Sequence, residues 1–126
     1  MARIEVVNEA DLRASDSTAG IARKKAFDSN GFTMAQTVVP RGVASGWHHH
    51  GGRHLYGFLV AGELRLEYGP DGTVVAQISR GDFFHIPPRL VHRDVNPSHK
   101  EASIVVNITA GEGPALVNVK GPDHPS

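Results

Sequence analysis

Three histidines at short, fixed spacings constrain this chain more than any other feature of its sequence. His48 and His50 are separated by one residue, and His92 lies in a second block further along the chain. Residues at i and i+2 of a β-strand face the same side, so His48 and His50 can bind one ion while His49 points away. Imidazoles clustered in this way are typical of a divalent transition-metal site with open coordination positions.

The two blocks that carry these histidines also share a pattern of turn residues. The first block begins at Gly42, contains His48 and His50, and runs through His54 to Gly62. Glycine and proline favour turns, which places the histidines at strand ends. The second block contains Gly81, Pro87, Arg89, His92 and Asn96.

This pair of blocks resembles the two motifs of the cupin superfamily. The first cupin motif is a glycine, His-x-His, a glutamate and a glycine, and the chain matches it except at the glutamate. The second motif ends in a histidine and an asparagine, and the chain matches it except that Arg89 replaces a glycine. The resemblance covers residues 42–96. It implies an all-β, double-stranded β-helix, a jelly-roll barrel of two antiparallel sheets, with a metal ion inside one end.

The missing glutamate leaves the fourth ligand of such a site open. Counting back from Gly62 in the family's register places Leu55 at the glutamate position, whereas counting forward from His50 gives His54 the spacing of four-histidine cupins. Two glycines after His50 interrupt the strand, so strand alternation does not decide between these alternatives. We expect His54 to complete the site. The expected metal ligands are His48, His50, His54 and His92.

The rest of the sequence favours many short strands. Runs of β-branched and aromatic residues alternate with glycine and proline, which is typical of a sandwich or barrel. Asn8 is the expected cap of a short helical turn over residues 8–14, and residues 121–126 are expected to form a frayed tail. The expected strands are 21–27, 32–39, 55–60, 63–68, 73–78, 82–86, 92–96, 102–108 and 115–120.

Composition narrows the classes of function. A chain of 126 residues fits a single domain, here 1–126. Thirteen basic and thirteen acidic residues give no net charge, so we expect no nucleic-acid partner. The absence of cysteine excludes disulfides and thiolate zinc sites. No apolar run has the length of a signal peptide or membrane span, so we expect no membrane partner and a cytoplasmic location.

The resemblance implies a small metalloenzyme. We expect one divalent ion per chain, with Fe(II) favoured and Mn, Zn, Ni or Cu as alternatives. Cupins rich in histidine ligands include oxygenases, so the leading hypothesis is a dioxygenase-like enzyme acting on a small chelating enol, diketone or catechol. A non-oxidative isomerase, lyase or decarboxylase is the second hypothesis. A binding module without catalysis is the third.

Residues around the expected centre have less specific roles. No catalytic residue is assigned from the sequence, although His54 or Tyr56 could act as a base in non-oxidative chemistry. Arg53, Arg89 and Arg93 could line the cavity mouth and attract an anionic substrate. Because small cupins commonly use N-terminal strands to extend a partner's sheet, we also expect a homodimer.

Overall fold

Short runs of alternating buried and exposed residues make this chain a β-protein. The computed structural model describes residues 1–123, and within them it has eleven strands. Two short 3-10 turns are the remaining regular elements of that part of the chain. The strands are β1 (Arg13–Ala14), β2 (Ala22–Ser29), β3 (Phe32–Val39), β4 (His48–His49), β5 (Gly52–Ala61), β6 (Glu63–Tyr68), β7 (Val74–Ser79), β8 (Phe83–Ile86), β9 (His92–Val95), β10 (Ser103–Glu112) and β11 (Val117–Asn118).

These strands form two antiparallel sheets. One sheet has six strands in the order β1-β2-β3-β10-β5-β8, and the other has five in the order β11-β4-β9-β6-β7. Leucine, isoleucine and valine side chains from both sheets form one buried core, and burying this apolar surface stabilises the pair. The prediction of an all-β barrel of two antiparallel sheets is confirmed.

Strand β6 shows how the sequence pattern produces the barrel. Leu64 and Leu66 are buried in the core, whereas Arg65 and Glu67 alternate with them and form an ion pair at 3.1 Å. This period of two buries one face of the strand and leaves the other face to charged groups. The bounds of β3 and β6 are those predicted from the sequence.

The N-terminal region differs from its prediction. The expected helical turn over 8–14 is a 3-10 turn at Glu9–Asp11, and the side chain of Asn8 makes no capping hydrogen bond. Arg13–Ala14 instead forms β1, which pairs with β2. Pairing with an existing strand satisfies these backbone groups. The predicted short turn is therefore present at Glu9–Asp11, but its extension to Ala14 and its cap by Asn8 were wrong.

The C-terminal region keeps only part of its expected strand. Val117–Asn118 forms β11 and pairs with β4, and the Asp71 N–H donates a hydrogen bond to the Asp123 carbonyl at 2.7 Å. The predicted tail falls partly on residues 124–126, which lie outside the described residues. In the described part of the chain, no helix has the length and apolar character needed to cross a membrane.

Candidate metal centre

Two neighbouring strands of the five-stranded sheet bring three histidines together. His48 in β4 lies directly opposite His92 in β9, and His50 follows the end of β4. All three side chains are buried, with exposed fractions of 1%, 1% and 4% for His48, His92 and His50. Their candidate ligand nitrogens lie within 4.8 Å of one another. The structure therefore groups His48, His50 and His92 as the spacing predicts.

Each of these rings is oriented by a backbone carbonyl. The Nδ1 atoms of His48, His50 and His92 lie 2.9, 2.9 and 2.8 Å from the carbonyl oxygens of Gly46, Ala115 and Leu90. A carbonyl oxygen only accepts hydrogen bonds, so each Nδ1 carries the proton. In the neutral ring the lone pair is then on Nε2, the arrangement found when Nε2 binds a metal.

Burial keeps these rings in the neutral form. Desolvation, together with the neighbouring His92, lowers the pKa of His48 to about 2 and that of His50 to about 3. Desolvation also lowers the pKa of His92, although Asp94 opposes that shift. Neutral imidazole is the protonation state that binds a divalent ion. The three side chains thus fit a transition-metal ion in both orientation and charge state.

Asp94 is a residue of this cluster that the sequence analysis missed. Its Oδ1 atom lies 3.5 Å from Nε2 of His48 and 3.7 Å from Nε2 of His92. The Oδ1 atom is buried and has no hydrogen-bond partner. Asp94 follows His92 by two residues on β9, so the same-face rule that paired His48 with His50 could have identified it.

His54 lies away from this cluster, unlike its expected position as fourth ligand. It is exposed on β5, its Nδ1 lies 2.9 Å from Nε2 of His85, and its ring stacks with Tyr56. Leu55, the alternative at the glutamate position, is buried and lines the same cavity as His48. The pairing of β5 with β10 is regular around these residues, so alternation directs the two side chains to opposite faces.

The histidines line an inner cavity whose wall also includes the side chain of Arg23. The space available to the centre of a water molecule is about 20 Å³, enough for about one water. Arg23 of β2 lines this cavity, and its Nη1 donates to Oγ1 of Thr18 at 2.7 Å and to the Asp16 carbonyl at 3.4 Å. Burial lowers the pKa of Arg23, while Asp94 raises it.

The three arginines expected at the cavity mouth have other contacts. Arg53 donates to the Gly113 carbonyl at 3.0 Å, and Arg93 donates to Glu67 at 2.6 Å and lies over the ring of Trp47. Arg89 adopts a φ of 62°, so the turn keeps the left-handed conformation that suits the family's glycine. The residues that line the inner cavity include Arg23 but none of these three.

A larger apolar cleft lies beside the inner cavity. It separates β7 and β8, the edge strands of the two sheets, and has about 530 Å³ available to the centre of a water molecule. Phe84 and His92 line both the cleft and the inner cavity. The phenyl ring of Phe84 lies directly against Gly57, where a side chain would collide with it. The cleft is therefore a candidate path to His92.

Asn96 has a structural role at the end of the second motif. Its Nδ2 donates to the carbonyls of Val39 and Glu101, and its Oδ1 accepts from the N–H of Ser98. The side chain is 1% exposed, so these bonds satisfy a buried amide and fix the turn that follows β9.

Solved structures share this fold. An uncharacterised double-stranded β-helix protein from Klebsiella pneumoniae is 18% identical, covers 94% of this chain and 99% of its own, and has a TM-score of 0.73. The polyketide cyclase RemF from Streptomyces resistomycificus is 18% identical over 93% of this chain and 86% of its own, also with a TM-score of 0.73. Oxalate decarboxylase from Bacillus subtilis is 20% identical over 87% of this chain and 30% of its own, with a TM-score of 0.71.

The sequence comparisons identify the family. No curated protein sequence is significantly similar to this chain. The profile of the cupin domain, however, matches residues 34–108, which include both histidine blocks. The chain therefore belongs to the cupin family.

Proposed function

We propose that this protein is a metal-dependent enzyme whose ion is held by His48, His50 and His92. The observation that supports this proposal most directly is the set of three buried rings, each donating Nδ1–H to a backbone carbonyl and leaving Nε2 free. Three protein nitrogens leave coordination positions for substrate, as catalytic metal sites require. We further propose an oxygenase reaction on a small chelating enol, diketone or catechol.

Fe(II) is the favoured ion for that reaction. A redox-active ion would supply electron transfer between substrate and dioxygen, chemistry that no side chain of this cluster can perform. Mn(II) is the first alternative, because the structurally similar oxalate decarboxylase from Bacillus subtilis has Mn(II) centres.

The cavities indicate what kind of substrate fits. The cleft between β7 and β8 is lined by apolar and aromatic side chains that include Tyr68, Ile78 and Phe84, which suits a planar apolar body. Arg23 lies in the wall of the inner cavity, where a guanidinium can bind an enolate or carboxylate oxygen. We infer a small anionic substrate with an apolar part, held at one end by Arg23.

A specific observation also favours a second candidate, non-oxidative proton transfer. The buried Oδ1 of Asp94 has no hydrogen-bond partner and faces the histidine cluster. A carboxylate in that position could remove a proton from the part of a substrate that reaches the inner cavity from the cleft. The polyketide cyclase RemF, a cyclising enzyme by its name, has the same fold.

Oxygen consumption separates the two reactions. Metal-free protein would be loaded anaerobically with Fe(II), Mn(II) or Zn(II) and mixed with 2,4-pentanedione, catechol or protocatechuate. The oxygenase proposal predicts dioxygen uptake by the Fe(II) form only when a chelating substrate is present. The Zn(II) form should be inactive because zinc has no redox chemistry. Substrate conversion by the Zn(II) form without dioxygen uptake would contradict the oxygenase proposal and favour proton transfer.

We also propose that the protein is a homodimer. The outer face of the six-stranded sheet exposes Tyr56, Val60 and Phe83, and exposed apolar groups of this kind favour association. Light scattering at micromolar protein concentration should give twice the mass of one chain. A mass of one chain would contradict it.

A further inference from the structure

We propose that Asp94 is the carboxylate ligand of this centre, replacing the glutamate that the first motif lacks. The ion would then be bound by His48 of β4, by His50 just after β4, and by His92 and the carboxylate of Asp94 from β9. This inference rests on the proposed function, because it requires a metal ion at the three histidines. If Asp94 binds the ion, its carboxylate is no longer free to act as the base in the non-oxidative candidate reaction.

The atoms of His48, His92 and Asp94 that face one another are all hydrogen-bond acceptors. Nδ1 of His48 and of His92 donates to a backbone carbonyl, so the lone pair of each neutral ring is on Nε2. Oδ1 of Asp94 faces both of these nitrogens and has no hydrogen-bond partner. A buried acceptor without a donor, as Oδ1 is, is costly, whereas a cation bound between Oδ1 and the two Nε2 lone pairs would satisfy it.

The distances from Oδ1 of Asp94 to Nε2 of His48 and of His92 also suit ligands that share one ion. Ligands about 2.0–2.2 Å from a divalent ion lie about 3.0–3.5 Å from one another in octahedral or tetrahedral arrangements. The 3.5 and 3.7 Å separations between Oδ1 of Asp94 and the Nε2 atoms of His48 and His92 are close to this range. They are longer than a good hydrogen bond between charged groups. The ligand atoms that all lie within 4.8 Å of one another are those of the three histidines, so Asp94 has to approach His50 more closely to share an ion with all three.

Backbone hydrogen bonds to Ser45 hold Asp94 in place. The Asp94 N–H donates to Oγ of Ser45 at 2.9 Å, and the Asp94 carbonyl accepts from the Ser45 N–H at 2.8 Å. These two hydrogen bonds fix the backbone of Asp94 and do not involve its carboxylate. A fixed ligand loses little conformational freedom when it binds an ion.

An apolar side chain fills the position at which the family motif has its carboxylate. Leu55 occupies the glutamate position and lines the same cavity as Asp94. A carboxylate at either position therefore faces the histidines from a different strand, β5 or β9. This gives a rescue experiment, in which the carboxylate is removed from Asp94 and restored at Leu55.

The test measures metal binding without any substrate. Wild type, Asp94→Asn and the double variant Asp94→Asn/Leu55→Glu would be loaded with Co(II), and Zn(II) affinity would be measured by chelator competition. Asp94→Asn should bind Zn(II) about ten- to a hundredfold more weakly and show an altered Co(II) absorption spectrum. The double variant should recover most of the affinity. The matched control is Asp82→Asn, which changes an exposed carboxylate that accepts a hydrogen bond from the Ser79 N–H. This variant should bind metal as wild type does.

The outcomes separate this inference from the function on which it rests. An Asp94→Asn protein with wild-type affinity and an unchanged Co(II) spectrum would overturn Asp94 as a ligand and leave the histidine centre intact. A double variant as weak as Asp94→Asn would also count against ligation. Failure of wild type to bind Co(II) or Zn(II) would instead overturn the metal centre.

Discussion

Two groups of histidines in this molecule have similar distances between ring centroids, 4.3–5.5 Å in one and 5.2 Å in the other, but differ in burial and in hydrogen bonding. Inside the barrel, His48, His50 and His92 are buried, and each is held by a backbone carbonyl. On the outer face of the six-stranded sheet, His54 and His85 are exposed and hydrogen-bond to each other. In this second pair Nδ1 of His54 and Nε2 of His85 share one hydrogen bond.

The comparison shows that proximity alone does not make a metal site. The inner rings present three lone pairs to one cavity because their other nitrogens are already protonated and bonded. Burial keeps them neutral, and an unpartnered carboxylate lies beside them. The outer pair has water as a competitor for every polar atom and stacks against Tyr56. We therefore expect a cation to prefer the inner group.

The largest expected effect is on metal affinity. His92→Ala removes one of three nitrogen ligands, so its Zn(II) affinity should fall about a thousandfold or more. His54→Ala removes an exposed ring that lies outside the cluster, and its affinity should stay within about threefold of wild type. Chelator competition measures both variants. Equal losses in the two proteins would contradict the distinction between the inner and outer groups.

The next effect is on the stability of metal-free protein in acid. His48 and His50 have folded-state pKa values of about 2 and about 3, below the ordinary value of 6.5. As the pH falls below 6.5 the unfolded chain binds protons that the folded protein excludes, so stability decreases towards pH 3. Between about pH 6.5 and about pH 5 we expect a loss of about 2–4 kcal/mol in the free energy of unfolding.

Urea unfolding across this pH range provides the measurement. His48→Gln removes one titrating ring and should flatten the pH dependence, whereas His85→Gln should leave it unchanged. Because the folded rings stay neutral over this range, the metal affinity of the folded protein should change little between about pH 6.5 and about pH 5, and should fall only towards pH 3, where protons compete with the ion for Nε2. A steep dependence that disappears in His85→Gln would assign the effect to the outer pair instead.

The smallest effect extends the comparison to two adjacent aromatic residues of β8. Phe84 faces the barrel interior, whereas Phe83 is 81% exposed on the outer face. Phe84→Ala leaves a void against Gly57 and should lower the free energy of unfolding by about 2 kcal/mol. Phe83→Ala should lower it by less than about 1 kcal/mol. Equal losses in denaturant unfolding would show that the two faces of β8 do not differ as described.

Spacing predicts much of the barrel and most of the histidine cluster. Strand alternation is a local property, so the bounds of β6 and the shared face of His48 and His50 follow from the sequence. The position of His54 does not, because it depends on where the strand resumes after the glycines that follow His50. Once β5 begins at Gly52, regular pairing with β10 buries Leu55 and exposes His54.

Arg23 is a cavity residue that could not be predicted from the sequence. It lies in β2, outside both motifs, and reaches the cavity only because the six-stranded sheet packs over the histidine strands. No local pattern marks such a long-range contact. Asp94, by contrast, could have been predicted from its two-residue spacing to His92.

Anomalous diffraction from crystals of the Zn(II)-loaded protein tests the central claim most directly. We expect one strong peak per chain inside the barrel, about 2.0–2.1 Å from Nε2 of His48, His50 and His92. A peak between His54 and His85 with none inside the barrel would contradict it.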